Sequence, residues 1–489
     1  MATIYGANTL SSGYDVANSC RFNNDDSPYL TRNMASQGSS IKGSFSAWVK
    51  PSSHNSDKCL MTHYYNNSYF FSIHFQDDNS FMVKDYRTSN IMVYYTSAVY
   101  RDLSSWYNFV VIVDRSLGTA NDRVKIFING TRLTSANSGL TVGAAYDQQT
   151  SGSHSGNHSM NNDYTLEVGR NQALNGDGYM DGYIAEMVWL DGVAKDVTDF
   201  GEFDSNSPTV WKPKDVSGLS SDKGTNGFWL DFEDSSNLGN DAFGGTDFSE
   251  NNIVATDQST DTCTNNYATF NPLIRSNDIT FTEGNLKITD TAGSNYSGSH
   301  GTIAVNSGKW YCEVKVTNTD YLQIGALIVN SSSSGDATGT GSGGMYYYYE
   351  NIYWQNNNTQ IKVYNTSGSS GNASVTGGSN SVNTYSTDII SMALDMDNGR
   401  IYFAKNGTYE NSGNPANGTN GFVLPTNYNN GNGMTFYAGL YEAEVEINFG
   451  SPAFSISSGN SDANGYGNFE YAVPSGYYAL NSKNLAEFG

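Results

Sequence analysis

The sequence predicts an all-β protein, two antiparallel β-sandwiches joined by a structured connector, and three observations carry that expectation. Apolar and polar residues alternate at period two through most of the chain, and no convincing helical periodicity runs beyond two turns. Glycine (51) and tyrosine (35) are abundant while proline (9) is scarce, the mixture of short strands joined by tight turns. Similar hairpins occur in both halves, which points to two sandwiches of one broad type. A length of 489 residues also exceeds one ordinary core.

Taken in order, residues 1–16 are expected as an N-terminal tether and 17–204 as the first sandwich. "GSFSAWVKP" (43–51) places Phe45, Ala47 and Val49 on one face, and "WYNFVVIVDR" (106–115) and "RVKIFING" (123–130) read as buried strands. Residues 141–163 are polar and rich in glycine and serine, so they are expected as a long exposed loop. "VAKDVTDFGEF" (193–203) is the best candidate for a short helix. The stretch 205–272 mixes short strand-like pieces with polar runs and is expected as the connector. Alternation returns at "LKITD" (286–290) and continues through "KWYCEVKV" (309–316), "IISMALDM" (389–396) and "FYAGLYEAEVEINFG" (436–450), giving a second sandwich over 273–489. The two related hairpins are 112–133, with Arg-Val-x-Ile-Phe-x-Asn-Gly-Thr, and 393–410, with Arg-Ile-Tyr-Phe-x-x-Asn-Gly-Thr.

Composition limits the partners. A net charge of -23, from 25 Lys+Arg against 48 Asp+Glu, repels nucleic acid and anionic lipid. No run approaches eighteen apolar residues, so no membrane insertion is expected. The first residues lack a basic-then-apolar leader, which leads us to expect no signal peptide. Cys20, Cys59, Cys263 and Cys312 are scattered without a C-x-x-C pair. They read as buried thiols, with one adventitious disulfide as the alternative.

"FSAWVKP", "WYNFVVIVDRSLGTANDRVKIFINGTRL" and "MDGYIAEMVWLDGVAKDVTDFGEF" resemble a laminin-G-like, concanavalin A-like jelly roll. "SGKWYCEVKV", "ALDMDNGRIYFAKNGTYENSGNPANGT" and "EINFG" resemble a SPRY domain. The tandem, with "TNGFWLDFEDSSNLGND" and "ATDQSTDTCTNNYATFNPL" between its halves, resembles a group of bacteriophage virion proteins common in marine phages. That resemblance implies a concanavalin A-like and then a SPRY-like jelly-roll sandwich. It also implies a place on the virion surface as a tail fibre, spike or head fibre, assembled in the host cytoplasm. Other capsid or tail proteins would be partners, and the chain would act as a homo-oligomer or in many copies.

The sequence offers residues for four kinds of chemistry. "LDMDNG" opens like a calcium loop, but Gly399 falls at position 5 and Asn406 at position 12, so the EF-hand register fails and a turn remains. Asp177 and Asp181 in "NGDGYMDG" are the candidate metal ligands, with calcium as the possible ion and no other cofactor expected. Glu442, Glu444 and Glu446 in "EAEVE" could supply paired carboxylates for a polysaccharide depolymerase. The alternative puts Ala443, Val445, Ile447 and Phe449 in the core and the three Glu side chains in water. His154 and His158 are expected as solvated loop residues. Carbohydrate binding is expected from aromatics set among Asn and Ser, at Tyr64, Tyr65, Tyr94, Tyr95, Tyr347, Tyr349 and Trp354. The favoured function is thus non-catalytic binding of a host surface polysaccharide or receptor. A purely structural decoration protein and a depolymerase are the alternatives.

Overall fold

A computed structural model of the chain describes residues 13–34, 36–54, 56–134, 141–142, 158–275, 278–291, 297–318, 321–329, 349–356, 360–364, 374–379 and 386–489. Among these, two compact units divide between Thr264 and Asn265. Each is an antiparallel β-sandwich.

In the first unit one sheet runs in the order Thr131–Arg132, Val124–Ile128, Tyr107–Asp114, Lys42–Pro51, Gly182–Asp191, Ser19–Phe22, Gln258–Ser259, with Phe228–Leu230 also paired to Gly182–Asp191. The other runs Thr141–Val142, Asn90–Val99, Ser80–Arg87, Tyr69–Phe75, Lys58–Asn66, Thr165–Val168, Tyr29–Asn33, Ser249–Asn251. Alternation gives each strand one core face. Phe45, Ala47 and Val49 meet Phe109 and Val111 from the neighbouring strand, and Phe71, Ile73, Val83 and Tyr94 face them from the second sheet.

The expected connector is different from what the sequence suggested. Residues 205–264 complete the first sandwich. They add strands to both of its sheets and lay Trp211, Val216, Trp229 and Phe243 over the outward face of the first sheet, against Val110, Ile112, Val188 and Leu190. Buried ion pairs fix this layer: Arg21–Asp257 at 3.1 Å, Arg32–Asp241 at 3.1 Å and Lys50–Asp261 at 2.7 Å. Strands of two or three residues are too short to show a period, so the sequence read as a linker. Of the expected tether, residues 1–12 lie outside the described residues, and Val16 belongs to the first unit: it is buried and its N–H donates to Thr264 Oγ1 at 3.1 Å. The expected helix over 193–203 is a 3-10 turn, Val197–Asp199, capped by Asp196, followed by the strand Gly201–Phe203. Asp196, Thr198 and Asp199 favour local side-chain bonds over a helix interior.

The second unit pairs a sheet ordered Phe270–Arg275, Ser297–Gly301, Met434–Tyr441, Tyr321–Ile328, Asn351–Gln355, Gln360–Tyr364, Ser374–Ser379 with one ordered Ile279–Thr282, Lys287–Asp290, Glu444–Asn448, Lys309–Asn318, Ile389–Asp395, Arg400–Lys405, Thr408–Tyr409. Trp310, Cys312, Ile324, Trp354, Phe403, Phe436 and Ile447 form its core. All four cysteines are free thiols.

The two hairpins that linked the halves are built alike. Asn129–Gly130 and Asn406–Gly407 both have positive φ (47° and 74°, 47° and 79°), as a two-residue turn on twisted strands demands. Asn129 exchanges two bonds with Asn108, and Asn406 does the same with Ile389. In each case a later aromatic lies on the glycine: an added Cβ would sit 2.2 Å from the Trp211 ring at Gly130 and 2.7 Å from the Tyr471 ring at Gly407. Gly130→Ala and Gly407→Ala are therefore each expected to cost about 1–3 kcal/mol, read as a lower urea midpoint for the unit that carries the change.

At "LDMDNG" only Gly399 has positive φ (63°). Asp395 accepts from Asn398 N–H at 3.0 Å and pairs with Lys309 at 2.9 Å, while Asp397 accepts from Gly308 N–H at 2.8 Å. Both carboxylates are committed to the fold.

Candidate functional site

The open aromatic surface of the first unit lies where the second sheet's strand ends meet the segment 158–164. Thr165 pairs with Tyr64 in register, so the residues one step further out, Tyr164 and Tyr65, meet across the strand ends. Their rings stack at 5.1 Å and 26°. Tyr69 stands edge-on to Tyr65 at 6.2 Å, and the Arg87 guanidinium lies 5.1 Å from the Tyr69 ring. Tyr65 is 63 % exposed, the most exposed large hydrophobic side chain among the described residues. Asn67, Ser68 and Asp163 form an exposed polar rim. The rim is ordered: Ser68 N–H donates to Asn66 Oδ1 at 2.8 Å, Tyr64 Oη to Asn67 Oδ1 at 2.7 Å, and Thr88 N–H to Ser68 O at 2.7 Å. A broad ring face beside fixed amides and hydroxyls can stack on the apolar face of a sugar and hold its hydroxyls.

What holds Tyr164 in place is a polar network inside the sandwich core. Asp85 points inward from its strand, fully buried, and accepts from Ser159 N–H at 3.0 Å. Arg115 is 3.6 Å from it and His158 3.7 Å. Burial alone would raise the Asp85 carboxyl, but the hydrogen bonds and charges of His158, Arg115 and Ser159 outweigh it and keep the group below its ordinary range. Asn161, at φ 54°, donates its N–H to His63 Nδ1 at 2.8 Å and accepts from Trp189 Nε1 at 3.0 Å. Burial pushes His63 down to about 3. It is neutral, with Nδ1 as the acceptor. His158 is thus not the solvated loop residue expected, and 158–161 is not an exposed loop: His158, Ser159, Met160 and Asn161 are all buried, because Asp85 and His63 supply their partners.

The remaining sequence candidates fall in different places. Tyr64 and Tyr95 are half-buried on the outward face of the second sheet, with Phe70, Tyr86 and Lys84. Lys84 caps the Phe70 and Tyr86 rings at 5.6 and 5.2 Å, and burial lowers its ammonium. Burial and then Glu167 raise the Tyr64 phenol. Tyr94, one residue from Tyr95, takes the other face and is fully buried in the core. Trp354 is likewise a core residue, edge-on to Phe403 at 6.3 Å, and Tyr349 is buried among Leu327, Tyr353 and Tyr437. These three are corrections to the expected surface set: alternation turns Tyr94 and Trp354 inward, and Tyr349, which precedes the strand Asn351–Gln355, is covered in a separate cluster. Tyr347 and His154 lie outside the described residues. Tyr164 and Arg87 were missed, since only the strand register brings them to Tyr65 and Tyr69.

Asp177 is exposed on a turn at φ 59°, while burial raises the Asp181 carboxyl despite hydrogen bonds from Ser52 and Ser53 and the nearby Lys58 charge. No group of three or more His, Cys, Asp or Glu suited to a metal ion occurs among the described residues. With Lys58 already serving Asp181, adding calcium or a chelator is expected to leave the first unit's melting temperature unchanged.

Of the glutamates, Glu442 sits outside the strand at φ 49°, Glu444 pairs with Lys287 at 2.9 Å, and Glu446 with Lys315 at 3.6 Å. Ala443, Val445, Ile447 and Phe449 are buried, as the non-catalytic reading expects.

No protein-family model and no curated protein matches the chain. Solved structures similar to it include the SPRY domain of human HERC1, at 13% identity and TM-score 0.23, covering 36% of this chain and 96% of that one. A protein from Bacteroides ovatus described as carbohydrate binding matches at 13% identity and TM-score 0.32, covering 49% of this chain and 59% of that one. The chain thus spans less than two thirds of that protein. A heptameric SAP-like pentraxin from Limulus polyphemus matches at 14% identity and TM-score 0.25, over 36% of this chain and 77% of its own.

Proposed function

We propose that the chain is a non-catalytic binding protein whose first unit recognises a surface glycan through the Tyr65–Tyr164 platform. The observation that carries this reading is an exposed, stacked tyrosine pair with an ordered amide rim, held rigid by a core network that a merely solvated loop would not need. Pre-organisation of this kind lowers the ordering cost of binding. The sequence resemblance supports placing the protein on a phage virion, where many copies would multiply weak contacts with a host polysaccharide. Lysine partners on Glu444 and Glu446 favour binding over hydrolysis at "EAEVE".

On a glycan array, Tyr65→Ala is expected to weaken the best ligand by about thirtyfold, roughly 2 kcal/mol, with no change in melting temperature. Full binding by Tyr65→Ala and Tyr164→Ala would dispose of the platform. No glycan signal for the intact protein would favour the structural decoration role.

A further inference from the structure

A cation, Arg87, borders the tyrosine platform. It ends the strand Ser80–Arg87 and pairs in register with Tyr69, so the two side chains leave the sheet on the same side. Its Nη1 donates to His158 O at 3.1 Å, which ties the guanidinium to the segment that Asp85 holds. The turn behind it is fixed as well: Arg87 N–H donates to Ser89 O at 2.9 Å and Tyr86 Oη to Thr88 O at 3.3 Å. The guanidinium lies 5.1 Å from the Tyr69 ring, and Tyr69 stands 6.2 Å from Tyr65. The charge also reaches Tyr164: burial raises that phenol, and Arg87 pulls it back down.

Other arginines of the first unit that lie on aromatic rings are closed by a carboxylate. Arg170 covers Tyr29 at 3.5 Å and donates twice to Glu167. Arg32 lies 4.5 Å from the Phe248 ring and pairs with Asp241 at 3.1 Å. Arg87 is half-exposed, and no carboxylate among the described residues comes within ion-pairing distance of it. The described residues leave its Nε and Nη2 unengaged, and that edge of a guanidinium is a fork that holds a carboxylate through two parallel bonds.

We propose, building on the platform reading, that Arg87 makes the Tyr65–Tyr164 platform selective for an acidic sugar of the uronic acid kind. The sugar ring stacks on the exposed tyrosine face while the Arg87 fork takes the carboxylate of the same residue or the next. All the groups this needs are open to solvent in part or in full: Tyr65, Tyr69, Tyr164, Arg87 and the rim residues Asn67 and Ser68. The rim also carries exposed Asp163, and the chain's net charge is -23. Both disfavour a polymer charged on every residue, so the fit is to a glycan in which single carboxylates are spaced among neutral sugars. Beyond about 8 Å in physiological salt that net charge is screened, whereas the contact with Arg87 is not.

The test is an array of bacterial surface polysaccharides, each printed native and after chemical reduction of its carboxyl groups to neutral hydroxymethyl groups, probed with the full chain. The strongest ligand of wild type is expected to contain a carboxylate sugar and to weaken about tenfold or more on reduction. Arg87→Gln is expected to show the same loss on the native form, no further loss on the reduced form, and an unchanged melting temperature. A structural role for Arg87 would instead lower the melting temperature and weaken both forms alike, which overturns the inference. A strongest ligand that is neutral, or that survives reduction, overturns it too. If such a ligand is lost in Tyr65→Ala but kept in Arg87→Gln, the platform stands without the acid preference. Binding to no polysaccharide, or binding indifferent to Tyr65→Ala, removes the platform and the preference together.

Discussion

Asp85→Ala is expected to destabilise the first unit by about 3–5 kcal/mol and to abolish glycan binding at a site it does not touch. Asp85 and Arg115 are both essentially inaccessible to solvent, so removing the carboxylate strands a guanidinium inside the core. The same change frees Ser159 N–H and His158, and with them the segment that presents Tyr164. Arg115 also donates to Ser40 O at 3.2 Å and makes a long contact to Met92 Sδ. Two units with separate cores should give two unfolding transitions in urea, and only the first unit's should move. The second unit is the internal control. An unshifted first transition would mean that water already solvates Arg115. Tyr65→Ala makes the contrast, because it removes ring surface and leaves the network whole.

The sandwiches were legible because alternation and Asn-Gly turns are local signals, and the matching turns at 129–130 and 406–407 have matching bonds. The platform was half legible. Tyr65 stands in a strand end crowded with Asn and Ser, which the sequence shows. Its partner Tyr164 follows a long polar stretch, and nothing local says that Thr165 will pair with Tyr64. Tyr94 and Trp354 misled for a related reason: an aromatic in an alternating strand has equal claim to either face until the neighbours are known. His158 misled because its partner, Asp85, is remote in sequence and faces a core where a carboxylate is unexpected. The 205–264 layer was hidden because its stability comes from ion pairs and three aromatics, Trp211, Trp229 and Phe243, laid on a sheet built mostly by other segments, not from a period of its own.

The first unit's stability is expected to peak near pH 6.5 and to fall on both sides. On the acid side, burial holds His63 and His74 at about 3, for His74 with help from Lys84, against about 6.5 in the unfolded chain. Between those values the unfolded state binds protons that the native state refuses, so stability falls as pH falls, by up to about 4–5 kcal/mol per histidine at the limit. Protonating His63 also removes the acceptor for Asn161 N–H and releases the platform segment. On the alkaline side the sign reverses. Glu186 is thrown out of the strand Gly182–Asp191 by a bulge, at φ 49°, and lies buried beneath Trp229 and Tyr14, which donate to it at 3.1 and 3.2 Å. Burial raises it to about 8 from about 4.5, with Asp231 and Glu233 adding to the shift. Its proton is retained on folding, so this contribution is whole below about pH 4.5 and is lost as pH rises towards 8. Two histidines outweigh one glutamate between about 4.5 and 6.5, and the glutamate prevails from there to about 8, where Lys58, lowered by burial to about 8, begins to work in the opposite sense; this sets the maximum. Urea midpoints of the first unit from pH 4 to 9 test this. His63→Asn should flatten the acid limb by about 1.4 kcal/mol per pH unit, and Glu186→Gln should level the alkaline one. A profile that is flat between pH 5 and 8 in wild type would show that these groups titrate as they do in water.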